Sequence, residues 1–166
     1  MSVDDLASSQ VDYLTLDQQV CFALAVATRS VISLYRPLLK PLGLTHPQYL
    51  VMIALWEKES LSVSEMSRLL ELEPPSVSPV LKRLQSAGLI ERHRDADDER
   101  SVRLTLTPAG RELKQRALPI PSAIADRLDM SLEEVVTLHA TLTGVIERAQ
   151  ATEGRGPAGG RGRNIP

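Results

Sequence analysis

The hydrophobic period of this chain changes at Gly88. Before it, apolar residues recur in steps of three and four: Val77, Val80, Leu81 and Leu84 line one side of "PPSVSPVLKRLQSAG", the spacing of a helix with one buried face. After it, Val102, Leu104 and Leu106 alternate with Arg103, Thr105 and Thr107, the two-residue period of a strand with one wet side. "LIERHR" reads as the partner strand, and the charged "DADDE" between them reads as a hairpin turn. Gly88 stands where a helix takes a left-handed cap. Thr107-Pro108 is a cap followed by a proline at the first helical position, so a helix restarts there.

The elements upstream follow from their punctuation. Thr15 and Gln18 have capping-box spacing, predicting a helix to about Tyr35, where Arg36-Pro37 ends or kinks it. Pro41 and Gly43 break the chain, and Pro47 suits the first turn of a helix through "QYLVMIALWEKE", with Leu50, Ile53, Ala54 and Leu55 at helical spacing. Ser62 and Glu65 form a second box, opening a short helix from Val63 to about Leu70. Pro79 lacks an N–H, which the first turn of a helix does not need, so the next helix is expected to begin near Pro75 or Ser76. Pro119 and Pro121 interrupt the helix begun at Pro108. Ser131 with Glu134 caps a last helix to about Gln150.

Two short helices joined by a tight turn and followed by a charged hairpin make a winged helix-turn-helix, whose second helix enters the DNA major groove. Opposite its apolar stripe lie Ser76, Ser78, Lys82, Arg83 and Gln85, donors suited to phosphates and base edges. The hairpin carries Arg92, Arg94, Arg100 and Arg103, and an arginine at a wing tip can enter the narrow minor groove. Asp95, Asp97, Asp98 and Glu99 are candidates to steady an arginine by a bidentate pair. Any one of these charges alone reads as a solvated surface; the ordered combination reads as a DNA reader.

Composition sets the outer limits. The chain has 166 residues, 43% of them apolar but only 3% aromatic, and a net charge of −2. It is one domain, or one domain with extensions, its core is aliphatic, and any basic surface is local. One cysteine excludes an internal disulfide and a zinc site needing several cysteines, and fits a reducing compartment. The first ten residues lack a signal-peptide pattern, and the longest apolar run, Val20 to Ala27, is too short to cross a bilayer. The expectation is a soluble cytoplasmic protein. No phosphate-binding glycine loop, paired metal motif or serine-nucleophile turn appears, so no enzyme activity, cofactor or metal is expected. A thiol peroxidase would need a base, for which only His46 offers itself, and a second thiol for turnover.

The stretch "LKRLQSAGLIERHRDADDERSVRLTLTPAG", Leu81 to Gly110, resembles the MarR family of transcriptional regulators: recognition helix, Gly-Leu-Ile turn, Asp-Glu-Arg-Ser wing, Leu-Thr-Pro-x-Gly helix start. "VCFAL", "YRPLLKPLGLT" and "PQYLVMIALWE" resemble its OhrR branch, whose members repress organic-hydroperoxide defence genes and sense oxidant through a cysteine. The resemblance implies a mostly helical fold with a small β-hairpin wing, a winged helix-turn-helix in a dimer with interlocked terminal helices, and a palindromic operator. With the polar first residues and the Gly/Arg-rich last ones read from their composition, the expected organisation is a flexible arm over 1–14, a dimerisation and sensor helix with its connection over 15–47, the DNA-binding lobe over 48–107, dimerisation helices over 108–150, and a disordered Gly/Arg-rich tail over 151–166. The expected DNA-binding set is Ser76, Ser78, Pro79, Lys82 and Arg83 on the helix, and Arg94, Asp98 and Arg100 on the wing. The sensing thiol is placed on Cys21.

A reactive thiol needs a stabilised thiolate. Counted from a Thr15 cap, Cys21 lies beyond the reach of the helix dipole, so a side-chain partner is expected. Cys21, Ala25, Thr28, Ile32 and Tyr35 share one face, yet fourteen residues at about 1.5 Å each separate its ends by about 21 Å. Contact between Cys21 and Tyr35 therefore needs a second copy running the other way, and the resemblance implies the same cross-subunit pair. The sequence departs from the branch at Ala25 and at His46 in "THPQY", where tyrosines are usual. His46 has two readings: a cation favouring the thiolate, or a loop histidine facing water. Cys21 also has two: the sensor, or a small inert core residue. Lacking a second cysteine, a sulfenic acid at Cys21 would be trapped by a small cellular thiol under mild stress, or oxidised further. Trp56 and Phe22 are expected in core or interface, His93 on the surface, and His139 in a dimer interface.

The expected function is a homodimeric repressor on double-stranded DNA, released when organic hydroperoxide oxidises Cys21. The alternative is a MarR-type repressor released by a small aromatic or phenolic ligand, with Cys21 structural.

Overall fold

The computed structural model describes residues 14–94 and 102–153. Helix α1 spans Val20–Leu39 and α2 His46–Lys58; strand β1 is Ser60–Ser62; α3 is Val63–Leu69 and α4 Pro74–Ser86; β2 is Ile90–Arg94 and β3 Val102–Leu106; α5 is Pro108–Ala117, α6 Ile120–Arg127 and α7 Leu132–Glu153. The chain forms two compact units, dividing between Ile120 and Pro121.

The first unit holds the winged helix-turn-helix. Its sheet has the order β1-β3-β2, antiparallel throughout. The β2–β3 pair keeps the alternation at Leu104 and Leu106, which point inward, and Ile90 pairs with Leu106, but Val102, expected on the same dry face, is exposed. β1 has no signal in the sequence, because three residues are too few for a period to show. The core gathers Met52 and Leu55 from α2, Met66 from α3, Val77, Leu81 and Leu84 from α4, and Ile90 and Leu104 from the sheet, all nearly inaccessible. On α4 the predicted stripe holds, with Val80 at its margin. On α2 it holds in part: Ala54 and Leu55 are buried as expected, Leu50 is half-buried and Ile53 exposed, and Tyr49, Val51 and Met52 face inward beside them. Rows at i, i+3 and i+4 run through both sets, and only the packing against α4 and β3 chooses between them.

The Ser62–Glu65 box opens α3 as its spacing predicts: Glu65 N–H donates to Ser62 Oγ at 3.1 Å and Ser62 N–H to Glu65 Oε2 at 2.6 Å. The Ser131–Glu134 pair does the same for α7, which continues to Glu153, into the segment expected to be disordered.

Two helix limits differ from the sequence reading. Thr15 precedes only a 3-10 turn, Leu16–Gln18, and α1 starts at Val20 after Gln19. Pro37 does not stop α1, since it falls in the last turn, where one missing N–H removes a single bond. A 3-10 turn at Lys40–Leu42 and Gly43, at φ 70°, end the run instead.

The end of α4 is locked to the start of α5. Gly88 takes φ 69° and Leu89 N–H donates to Leu84 O at 3.1 Å. Thr107 N–H then donates to Leu89 O at 3.1 Å, and Thr107 Oγ1 donates to Gly88 O at 2.7 Å. Gly110 lies against the same turn: a Cβ there would stand 2.1 Å from Leu89 O. The "AGLI" and "LTPAG" segments are thus one contact seen from its two sides.

In the second unit, α7 exposes Leu132, Val136, Leu138, Leu142, Val145 and Ile146. His139 is exposed on the same helix.

Candidate functional site

Ser76, Ser78, Pro79, Lys82 and Arg83 are all exposed on the side of α4 away from its buried stripe. The helix begins at Pro74, earlier than expected, so Pro79 is its sixth residue and not part of its first turn. Its ring removes the N–H that would meet the Pro75 carbonyl. Pro74 and Pro75 have no N–H to offer a phosphate, and Ser76 N–H is taken by Glu73 O at 2.9 Å. Contacts from this helix therefore run through side chains. Ser78 Oγ donates back to Pro74 O at 3.0 Å, leaving its lone pairs outward.

Arg94 ends β2, exposed and paired in register with Val102. Asp98 and Arg100, and the acids expected to steady a wing arginine, lie outside the described residues. Among the described residues, the carboxylate that steadies an arginine is Glu65. Arg103 Nη1 donates to Glu65 Oε2 at 2.9 Å, bracing β3 to the start of α3. The hydrogen bonds from the Ser62 backbone and side chain, with help from Arg103, hold the Glu65 carboxyl below the usual range. The sequence signal is the capping box; its second use depends on Ser62 lying opposite Arg103 in the sheet. His93 is exposed, with Nε2 3.1 Å from Glu91 Oε2.

Cys21 is exposed, which excludes the inert-core reading within a single chain. It is the second residue of α1. This corrects the count from Thr15: Cys21 lies within the first turn, among N–H groups without helical acceptors, where the dipole's positive charge is concentrated.

At the far end of α1, Tyr35 meets two residues of α2. Its ring centroid is 5.0 Å from that of His46, edge-on at 66°, and 5.9 Å from that of Tyr49. Tyr49 in turn meets Trp56 at 6.4 Å, and Trp56 Nε1 donates to Gly110 O at 2.8 Å. A file of rings thus leads from Tyr35 to the residue that abuts the end of α4. Burial raises the Tyr35 phenol above its ordinary value and lowers the His46 imidazole below its own. Near neutral pH Tyr35 keeps its proton and is a donor, while His46 is an uncharged imidazole, half-buried and not facing open water. This disfavours the first of the two readings of His46, a cation beside the thiolate. The structure brings Tyr35 and His46 together; Cys21, at the start of the same helix that carries Tyr35, lies about 21 Å along it from Tyr35.

Beside His46 opens a cavity of about 470 Å³, lined from α1 by Ile32, Arg36 and Leu39 and from the connection by Lys40 and Leu44. Sequence reasoning misses Arg36 and Lys40, whose only signal is their four-residue spacing.

Comparison with known proteins gives concordant matches. Residues 33–117 match the family described as transcriptional regulator SarA/Rot. The chain is 39% identical over 139 residues to the organic hydroperoxide resistance transcriptional regulator of Bacillus subtilis (strain 168), covering 84% of this chain and 95% of that one. Reduced AbfR bound to DNA superposes with a TM-score of 0.67 at 28% identity, over 81% of this chain and 94% of that one. A cysteine-to-serine mutant of MarR from E. coli, complexed with operator DNA, has the same fold, with a TM-score of 0.67 at 24% identity over 74% of this chain and 90% of that one. These relatives are regulators, not enzymes.

Proposed function

The chain belongs to the MarR family of transcriptional regulators, in its OhrR-like branch, and on that footing we propose that it is a homodimeric repressor released from a palindromic operator when organic hydroperoxide oxidises Cys21. The observation that carries this reading is the arrangement of α1: an exposed thiol in its first turn and a protonated, half-buried phenol near its other end. A second copy of α1 running antiparallel sets the Tyr35 hydroxyl beside Cys21. The phenol then donates to the thiolate, and His46 fixes the phenol ring.

Val20, Phe22, Val26 and Ile32 on α1, like the apolar residues of α7, are exposed in the single chain. Runs of this kind call for a cover, and a second copy supplies it. By length and composition alone, Val20–Leu42 would also suit a membrane. The dimer is the better account, because Arg29 and Arg36 lie within that segment and the family works on DNA.

In the sensing step the Cys21 thiolate attacks the terminal oxygen of the hydroperoxide. The O–O bond breaks, a proton reaches the departing oxygen to release the alcohol, and sulfur is left as sulfenic acid. A small cellular thiol then condenses with it, releasing water and leaving a mixed disulfide. The added bulk displaces Tyr35, and the file Tyr35–Tyr49–Trp56 carries the shift to Gly110 and the end of α4. Reduced, the dimer places Ser76, Ser78, Lys82 and Arg83 in two major grooves about one helical turn apart, with Pro79 shaping the helix and Arg94 on the wing toward the flanking backbone.

The test is a gel shift on the DNA upstream of its own gene and its neighbours, with and without organic hydroperoxide. Wild type leaves the DNA on treatment, and Cys21→Ser stays bound. The cavity beside His46 favours one second reading, a repressor released by a small aromatic or phenolic ligand with Cys21 passive; a Cys21→Ser protein that still leaves DNA on hydroperoxide treatment would establish that Cys21 is not the trigger.

A further inference from the structure

β3 leaves the three-stranded sheet at Arg103. The last pair between β1 and β3 is Ser62 with Arg103, and beyond it, at Val102, β3 has only β2 beside it. The row Ser62–Arg103–His93 therefore marks the base of the two-stranded part of the wing. A two-stranded ribbon is marginal by itself and twists more than a wider sheet, so its direction is set at this base. Arg103 is tied down there: its Nη1 donates to Glu65 Oε2 at 2.9 Å. The same carboxylate oxygen accepts from Ser62 N–H at 2.6 Å, and Glu65 N–H donates to Ser62 Oγ at 3.1 Å. The capping box thus holds the carboxylate where the arginine meets it. Glu65 lies in the first turn of α3, the helix that packs against α4. The two side chains are partly exposed, at 38% and 40%, and a pair so placed adds little to stability. Its effect is on direction, since it refers the wing and α4 to one turn of α3.

We propose that Arg103 is the positioning residue of the wing and not one of its DNA contacts. Held by Glu65, it sets the angle at which β2 and β3 leave the sheet. That angle fixes the separation between Arg94, at the end of β2, and Lys82 and Arg83 on α4. The inference rests on the DNA-binding half of the proposed function and is independent of the thiol. A helix in the major groove and a wing on the flanking backbone engage one duplex together only when their separation matches the grooves. A wing free to swing loses conformational freedom on docking, whereas a braced one has lost it already. Charge alone makes the opposite demand on Glu65. A carboxylate on a DNA-binding lobe repels phosphates, so neutralising it tightens binding unless it holds something that binding needs.

That opposition in sign is the test. The reduced full chain is titrated by gel shift, at fixed salt and without oxidant, against the DNA upstream of its own gene. Glu65→Gln keeps the capping box, since glutamine serves at that position, and removes the charge that holds Arg103. Its affinity is expected to fall about fivefold, two wings acting together. Arg103→Gln is expected to fall by the same factor, and the double variant Glu65→Gln/Arg103→Gln no further, because one interaction is lost in all three. Hydroxyl-radical footprints of the variants should lose protection at the flanks and keep it over the half-sites. An affinity of Glu65→Gln equal to or above that of wild type, effects that add in the double variant, or a footprint weakened evenly along its length overturns the brace. So does a melting temperature that falls with the affinity, which would make the pair a support of the fold. Failure of the underlying reading shows in wild type alone, as binding no tighter than to an unrelated duplex, and takes the role of the wing with it.

Discussion

Tyr35 and His46 meet edge to face, their ring centroids 5.0 Å apart, across the junction of α1 and α2. The contact joins the helix that bears the sole thiol to the helix that begins the DNA-binding core. Both groups are shifted by burial toward their uncharged forms. What this pair offers a thiolate is a phenolic hydrogen bond held at a fixed angle, not a cation.

Removing that hydroxyl while keeping the ring isolates its role. Tyr35→Phe is expected to slow oxidation of Cys21 by cumene hydroperoxide roughly tenfold, the worth of one hydrogen bond to a charged group. Stopped-flow consumption of the thiol reads the rate. An unchanged rate would remove Tyr35 from the mechanism.

His46 gives the fold an acid-side weakness. Its folded-state pKa lies below the unfolded value of about 6.5. As pH falls, the unfolded chain takes up the proton first, so the stability tied to neutral His46 is complete above about pH 6.5 and is lost on descent through the folded value. His46→Phe has no proton to take up. Its melting temperature should fall less than that of wild type between about pH 7 and about pH 5, as scanning calorimetry would show.

Gly110 is fixed by contact and not by its own backbone angle. Gly110→Ala drives a methyl group onto the Leu89 carbonyl, which already accepts from Thr107 N–H. Relief requires the α4–β2 turn or α5 to move, and we expect a loss of about 3 kcal/mol in urea unfolding.

On the proposed DNA face, Lys82→Ala takes away a cation that we assign to a phosphate. Operator affinity should fall across all sequences, and the slope of log affinity against log salt should flatten by about 1 for each phosphate left without its lysine. A change confined to one base position would instead make Lys82 a base reader.

Much of the helix-turn-helix was legible because its signals are local. The change of period at Gly88, the Ser62–Glu65 box and the Val77–Leu84 stripe each lie within one or two turns of chain. The misread limits were local signals with two solutions. Thr15 has the spacing to cap a helix, yet the chain uses that spacing for a 3-10 turn, and this moves Cys21 into the first turn of α1. Leu50 and Ile53 share a helical row as good as that of Met52 and Leu55, and packing chose the second.

By itself, the sequence determined where most of the helices and the two longer strands would form, though not β1, and which face of α4 would be buried, since backbone geometry and side-chain polarity act over a few neighbouring residues. Only the tertiary structure decided that Glu65 would brace Arg103, that Tyr35 would lie against His46 and Tyr49, that Trp56 would reach Gly110, and that Arg36 and Lys40 would border one cavity. Those contacts join residues on different elements, and a charge or a ring carries no mark in the chain of which distant partner will come within a few ångströms of it.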